Sequence, residues 1–478
     1  VALDPRPYNT ARQDGLLTCE GTFMKGKNLS RREFLNRSAG AVAGLAAGTV
    51  LAPARAPAAG NSRKKYVVGI MGCGGRCTFL LNDCLAKRAD MEIAYVCDVD
   101  ARRLADVAAL VEKLTGRKPK AVSDFRRMLD DKDVHAMFSI TPDHWHALST
   151  ITACQAGKDV YVEKPCSQNV WEGRKMVEAA RKYNRVVQVG AQTRSGRYTR
   201  AAAEYIRSGR LGPVYFVRVV NMKQWDSIGH KEDAPVPPGV NYDAWLGPAP
   251  QRPFNPNRFH YTWHWHWDYS GGDIINDGVH QIDAARMLIG QDYPTAVTST
   301  GGKFDTPDDD ADVPDTQVAT WDFHNLRMTF ELMLRTPYMK KMPWELRDKL
   351  DTFPNWPFDG MRVEVYGTKG ILYFERHGGG WQVFDESEKV IAKDHDIHPH
   401  YAHLDNFFEC IESRKRPNGD VEELHRSTIL CQIANISYRL GGRQLRFDGR
   451  TEQFVNDPEA DKLLKRVGRP PYMIPEEV

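Results

Sequence analysis

The sequence predicts an α/β protein in which a doubly wound parallel sheet is followed by a larger α+β domain with an open mixed sheet. Three observations predict it. From Lys65 onward, short apolar runs alternate with helix-patterned segments, the signature of βαβ units. The first run ends in Gly72-Cys73-Gly74-Gly75-Arg76, a glycine turn that opens a helix. Beyond residue 188 the texture changes to longer β-patterned runs broken by Pro- and Asp-rich loops.

Residues 64–188 therefore read as a Rossmann domain. Its strands are predicted at Tyr66–Met71, Met91–Cys97, Val134–Ile140, Asp159–Val162 and Arg185–Val189. Helices are predicted at Arg102–Leu114, at Ser123–Leu129 with Ser123 as N-cap, and at Trp171–Lys182. Residues 189–478 read as the α+β domain, with strands at Val214–Val220, Ala296–Thr300, Gln317–Phe323, Arg327–Leu334, Met361–Tyr366 and Gly370–Phe374. Its helices fall at Ala201–Ser208, Val279–Leu288, Ala402–Glu412 and Glu422–Tyr438, the last closing the fold. The acidic stretch Asp305–Asp315 reads as a solvated loop.

The amino-terminal residues read differently. Residues 24–59 have the form of a twin-arginine signal peptide: Lys25 and Lys27, then Ser30-Arg31-Arg32-Glu33-Phe34-Leu35, then an Ala/Gly-rich run from Ala39 to Leu51. Small-residue cleavage patterns follow at Ala52-Pro53-Ala54 and Ala56-Pro57-Ala58. The apolar run is shorter than the ~20 residues a spanning helix needs, so no stable membrane insertion is expected after signal removal. An uncleaved, anchoring signal is the alternative. Residues 1–23 precede Met24 and read as a mis-assigned upstream extension. A periplasmic protein, or one otherwise exported by the twin-arginine route, is the expectation.

Charge and cysteine content exclude several classes. Residues 1–59 hold eight Lys/Arg and four Asp/Glu, which leaves 57 basic against 58 acidic residues in the body. That near-neutral body predicts no nucleic-acid partner and no polybasic membrane surface. Nine cysteines without a C-x-x-C pair predict neither a zinc ribbon nor a disulfide framework.

The glycine turn points to a dinucleotide. Gly72 permits the tight turn, Gly74 lets the backbone approach a pyrophosphate, and Cys73, Gly75 and Arg76 complete the loop at the helix N-terminus. Cys77 stands at the third fingerprint position, which serves helix–strand packing. Asp98 ends the second strand 26 residues after Gly72, where a carboxylate accepts hydrogen bonds from ribose hydroxyls and repels a 2′-phosphate. This favours NAD. Arg102 and Arg103 follow closely enough to keep NADP as the alternative.

Further motifs follow in order: Thr141-Pro142-Asp143-His144, Glu163-Lys164-Pro165, and Gly271-Gly272 leading to Asn276-Asp277-Gly278-Val279-His280. As a set these resemble the glucose-fructose oxidoreductase / inositol dehydrogenase (Gfo/Idh/MocA) family. The resemblance implies a small-molecule carbohydrate substrate, a sugar or cyclitol, bound between the two domains against a nicotinamide ring, and a homo-oligomer, dimer or tetramer. It implies that Lys164 is the catalytic lysine and His280 the acid/base histidine. Thr141, Pro142, His144, Glu163 and Lys164 would then line the cofactor. The chemistry suits them: His removes a hydroxyl proton near neutral pH, and a lysine stabilises the developing alkoxide. The family's usual Asp four residues before the histidine is Asn276 here. On one continuous helix Asn276 would orient His280 without charging it, and Asp277 and Asp283 are the candidate substitutes.

The stretch His260–Asp268 alternates strictly, so an extended backbone would place three Trp on one face. Trp263, Trp265 and His266, with Asp277, are the candidate substrate-binding residues; Trp packed in the core is the alternative. No carboxylate or Cys set completes a zinc site at His264 and His266, so no metal is expected. Asp143, His144 and His146 are candidates for the nicotinamide pocket. The reading that results is an NAD(P)-dependent oxidoreductase acting on a secondary hydroxyl of a sugar, glycoside or cyclitol, with a tightly bound, internally recycled cofactor. The alternatives are a redox-neutral glycoside-cleaving enzyme using transient oxidation and elimination, and a non-catalytic sugar- and nucleotide-binding protein.

Overall fold

A computed structural model describes residues 65–478. The signal-peptide and upstream-extension assignments lie outside the described residues. Six parallel strands build the first sheet: β1 (Tyr66–Met71), β2 (Met91–Cys97), β3 (Lys120–Val122), β4 (Ala136–Ser139), β5 (Asp159–Val162) and β6 (Val187–Val189), in the order β3-β2-β1-β4-β5-β6. The order reverses between β1 and β4, which opens a crevice at the carboxyl ends of those strands. Crossing helices are α1 (Gly75–Asp83), α2 (Ala101–Thr115), α3 (Asp143–Gln155) and α4 (Val170–Lys182).

Strands β1, β2 and β5 lie where the apolar runs predict them. Helix α2 starts one residue early because Asp100 accepts from the N–H groups of Arg102 and Arg103 and caps it. The helix predicted from Ser123 shrinks to Arg126–Leu129, and Asp124, not Ser123, accepts the Arg126 N–H at 3.0 Å. Helix α3 has no clear amphipathic period because it is buried nearly all round. Its pattern is therefore that of a core segment.

The second sheet has ten strands in the order β14-β13-β12-β11-β7-β10-β9-β8-β15-β16. Its centre is β7 (Val214–Met222), paired parallel to β10 (Arg327–Met333) and antiparallel to β11 (Arg362–Gly367). Outward on one side lie β12 (Gly370–Glu375), β13 (Trp381–Phe384) and β14 (Val390–Asp394); on the other lie β9 (Thr316–Asp322), β8 (Ala296–Gly302), β15 (Leu445–Asp448) and β16 (Gln453–Phe454). Strands β9 and β10 alternate buried and less buried residues, so one face holds the core and the other is open. The buried face, with Val219, Trp321 and Phe330, packs under α5 (Arg197–Arg207), α7 (Gly278–Ile289) and α9 (Val421–Arg439).

Two segments late in the chain return to the nucleotide half. Helix α8 (His400–Ser413) sets Phe407 and Phe408 against Phe138 and Tyr66, covering one face of the first sheet. Helix α9 packs on α4 as well as on α7 and β8, so it bridges the two sheets rather than only closing the second. The acidic stretch is more than a solvated loop: Asp315 is buried and accepts the N–H groups of Asp305 and Thr306 at 3.0 and 3.1 Å.

Gly72 is the tightest point of the turn. Its φ is +98°, and a Cβ there would sit 2.2 Å from the Ile140 carbonyl oxygen. Gly72→Ala is expected to cost at least 1–3 kcal/mol from backbone strain, in order of magnitude, read as a lowered midpoint in chemical denaturation. An unchanged midpoint would remove the turn from the list of constraints.

Candidate active site

Three loops meet at the crevice because each follows the carboxyl end of a parallel strand. The glycine loop follows β1, Thr141-Pro142 follows β4, and Glu163-Lys164 follows β5. Helix α1 begins at Gly75 with no side chain capping its N-terminus, and a Cβ on Gly75 would meet nothing within 4 Å. Its first N–H groups are open to a pyrophosphate, which fits a dinucleotide. Cys73 is buried and gives its N–H to Asp98 Oδ2 at 2.7 Å; Asp98 Oδ1 accepts from the Asp100 N–H at 2.9 Å. Each carboxylate oxygen keeps a lone pair for a ribose hydroxyl. Arg102 is exposed, while Arg103 is partly buried with its guanidinium nitrogen 4.0 Å from Asp100. Cys77 packs in the core under the loop. Arg76 and Glu163 pair with each other at 2.8 Å and tie the start of α1 to the end of β5.

His144 does not face the crevice. It is buried, with Nε2 on the Trp245 carbonyl at 2.9 Å and its ring 5.3 Å from those of Trp245 and Tyr269. His146 lies behind the Glu163-Lys164-Pro165 turn, 2.7 Å from the Pro165 carbonyl and 3.0 Å from that of Thr141. Burial lowers both, His144 to about 3 and His146 to about 4, so both are neutral braces. Asp143 is likewise buried and accepts from Ser270.

Lys164 reaches across to the second half. Its Nζ donates to the Asn276 carbonyl at 2.7 Å and to Asn276 Oδ1 at 3.0 Å. Burial holds the ammonium below the usual lysine range, with Asp277, Asp143 and Glu163 opposing the shift. Asn276 ends a short helix, α6 (Asp273–Asn276), and the chain turns at Asp277 before α7 begins. The one-helix geometry expected for Asn276 and His280 is therefore broken, and Asn276 positions Lys164 instead. Its Nδ2 donates to Asp273 Oδ1 at 3.1 Å.

His280, in the first turn of α7, is 7 % exposed. Burial, then the charges of Arg376 and Lys164, hold its imidazole well below the ordinary histidine range, so it is a neutral base. Neither proposed substitute carboxylate hydrogen-bonds it. Asp283 is taken by Arg194 at 2.8 Å and Ser427 at 2.6 Å. Asp277 takes Lys223 and Lys341 (2.8 Å) on Oδ2 and Arg376 (3.0 Å) on Oδ1. Burial opposes its ionisation, yet these cations hold it well below the usual carboxylate range. It is a counter-ion hub rather than a free acceptor for sugar hydroxyls.

The His260–Asp268 stretch is not extended. Thr262–Trp265 forms a 3₁₀ turn and both Trp263 and Trp265 are buried. Trp263 joins a cluster with Tyr242, Trp245, Phe254 and Phe259, and Trp265 joins the main core. Strict alternation carries no face information once the backbone turns. His266 is also buried, held by the Asn257 carbonyl (2.9 Å) and Asp312 (3.2 Å). Among the described residues no three His, Cys, Asp or Glu side chains gather to hold a metal ion.

Lys223, Lys341 and Arg376 escaped the sequence reading. Two of them carried a usable signal: Lys223 and Arg376 each stand one residue past an apolar strand, β7 and β12. Lys341 sits in a loop whose backbone Lys340 pairs with Asp359, and nothing local marks it.

Comparison with known proteins follows the same division. A model of an oxidoreductase family with an NAD-binding Rossmann fold matches residues 66–191, and one of the oxidoreductase C-terminal alpha/beta domain matches residues 215–330 and 365–474. Levoglucosan dehydrogenase of Pseudarthrobacter phenanthrenivorans is 27 % identical over 36 % of this chain and 37 % of its own length. Myo-inositol 2-dehydrogenase of Thermotoga maritima is 24 % identical over 47 % of this chain and 55 % of its own. The chain thus matches less than two thirds of either relative. A solved aldose-aldose oxidoreductase from Caulobacter crescentus, complexed with glycerol, superposes with a TM-score of 0.60 at 19 % identity, over 80 % of this chain and all of that one.

Asn276→Asp would place a carboxylate beside Lys164. A negative neighbour favours the charged amine, so the Lys164 pKa should rise. If turnover needs the ammonium, its alkaline fall-off moves to higher pH, and an unmoved limb would show that Lys164 does not set it.

Proposed function

Because this chain belongs to the Gfo/Idh/MocA oxidoreductase family, we propose that it oxidises a secondary hydroxyl of a sugar, glycoside or cyclitol with a tightly held, internally recycled NAD. The observation that carries the reading is the meeting of Lys164, Asn276 and His280 at the carboxyl edge of the nucleotide sheet. Relatives named for levoglucosan and for inositol support the substrate class.

Bound NAD supplies the hydride acceptor. The neutral imidazole of His280 takes the hydroxyl proton, and the surrounding cations weaken its hold on that proton, which eases the return step. The Lys164 ammonium donates to the same oxygen as negative charge develops on it, in a site with little water to compete. Asn276 holds that ammonium by two acceptors and leaves its third proton for substrate.

Retention of the cofactor is supported by a strap between β7 and α6. Its residues 239–241 lie along the end of β2: Ala101 N–H donates to the Gly239 carbonyl (3.0 Å) and Asn241 N–H to the Val99 carbonyl (2.9 Å). His260 Nε2 lies 3.1 Å from Asp100, and the Trp245 carbonyl accepts from Trp145 Nε1 at 3.0 Å. The strap walls the adenosine end of the crevice beside Asp98. Slow release suits an enzyme exported by the twin-arginine route, which carries folded proteins, and working where no free nicotinamide pool is replenished; self-association through the open sheet face belongs to the same proposal.

Purified without added nucleotide and then denatured, the protein is expected to release NAD in near-stoichiometric amount, identified by mass spectrometry. An empty site that fills from solution would make it an exchanging dehydrogenase. Lys164→Ala should lose roughly 10²- to 10⁴-fold in turnover while still releasing NAD; unchanged turnover would refute the role given to Lys164.

A further inference from the structure

The site holds more positive charge than its own carboxylates neutralise. Lys223, Lys341 and Arg376 converge on two carboxylates, Asp273 and Asp277, and Lys164 stands beside them on Asn276. Lys223 is buried and satisfied by both acids, 2.8 Å from Asp273 and in contact with Asp277. Lys164 faces only the neutral oxygens of Asn276. Lys341 and Arg376 are thus left to share one carboxylate that Lys223 already neutralises in part. The other acids of the region are committed elsewhere: Glu163 to Arg76, Asp143 to Ser270, Glu375 to His377 at 2.7 Å, and Asp359 to the Met361 N–H at 3.1 Å. Burial further pushes Asp143 up to about 7, and burial together with their mutual repulsion pushes Asp359 and Glu375 above the usual carboxylate range.

The two under-neutralised cations have unused donors. Arg376 is 6 % exposed, and its buried Nε has no hydrogen-bond partner among the described residues. An orphaned guanidinium N–H in a buried site carries its desolvation cost until something accepts from it. The Lys341 side chain is 32 % exposed while its ammonium touches Asp277 at 2.8 Å. The oxidised nicotinamide adds a further positive charge rather than relieving the excess.

Building on the proposed oxidation of a carbohydrate, we propose that the substrate is an anionic sugar, carrying a carboxylate or phosphate that Lys341 and Arg376 receive beside Asp277. Arginine's fork and a neighbouring ammonium match such a group, whereas a neutral hydroxyl would leave the charge uncompensated.

The test is calorimetric binding to the full, NAD-loaded protein of three probes: methyl glucuronide, glucose 6-phosphate and methyl glucoside, with nicotinamide reduction followed at 340 nm on the same samples. At least one anionic probe should bind tenfold or more tighter than methyl glucoside, and which one does so separates carboxylate from phosphate. Lys341→Met should shrink that preference severalfold, and Lys341→Arg should preserve it. Equal or weaker binding of both anions would overturn the proposal, as would a preference that survives in Lys341→Met. Tight anion binding without nicotinamide reduction by any probe would keep the anion subsite and count against the oxidation reading. Reduction by methyl glucoside alone would do the reverse.

Discussion

Everything at the candidate site hangs on one partly buried carboxylate. Asp277 stands at the break between α6 and α7 and holds Lys223 from the end of β7, Arg376 from the end of β12 and Lys341 from a loop. Withdrawing one partner from such a cluster typically costs about 3–5 kcal/mol, because the remaining charges stay buried. The cluster therefore fixes where the two helices part. At that break Asn276 holds Lys164, which joins the end of β5 to the second half. Proton chemistry and lysine placement are consequences of the same electrostatic knot.

The knot also sets the protonation states. A neutral His280 beside a partly destabilised Lys164 ammonium is a base facing an acid, produced by burial and by an excess of cations rather than by a dedicated carboxylate relay. A carboxylate at 276 would repel Asp273, which Asn276 contacts at 3.1 Å through its amide. With Asp273 and Asp277 already present, an amide is the side chain that accepts from Lys164 and donates to Asp273 at once.

Much of this architecture was legible in the chain. Strands β1, β2 and β5 and the glycine loop followed from patterns that local backbone preferences enforce, whereas Lys164 and His280 were picked out by the family resemblance of their motifs. What misled was local pattern without knowledge of burial. The Trp–His alternation from His260 to Asp268 imitated a strand, but buried packing of Trp263 and Trp265 around a 3₁₀ turn produced it. His144 looked like a cofactor residue because it follows β4, yet its ring is taken by the Trp245 carbonyl of the strap. Helix α3 left no periodic trace because nearly all of its surface is buried.

By itself the sequence determined the nucleotide-binding half, the order of its motifs and the family to which they belong, because a glycine turn, a strand-ending carboxylate and a lysine loop act through neighbours close in the chain or through repeated βα units. Only the tertiary structure decided the partner of Asn276, the gathering of Lys223, Lys341 and Arg376 on Asp277, and the strap over the end of β2. Those contacts join residues from about 50 to more than 100 positions apart, and Coulomb attraction and exclusion of water act on distance in space, which no local sequence pattern records.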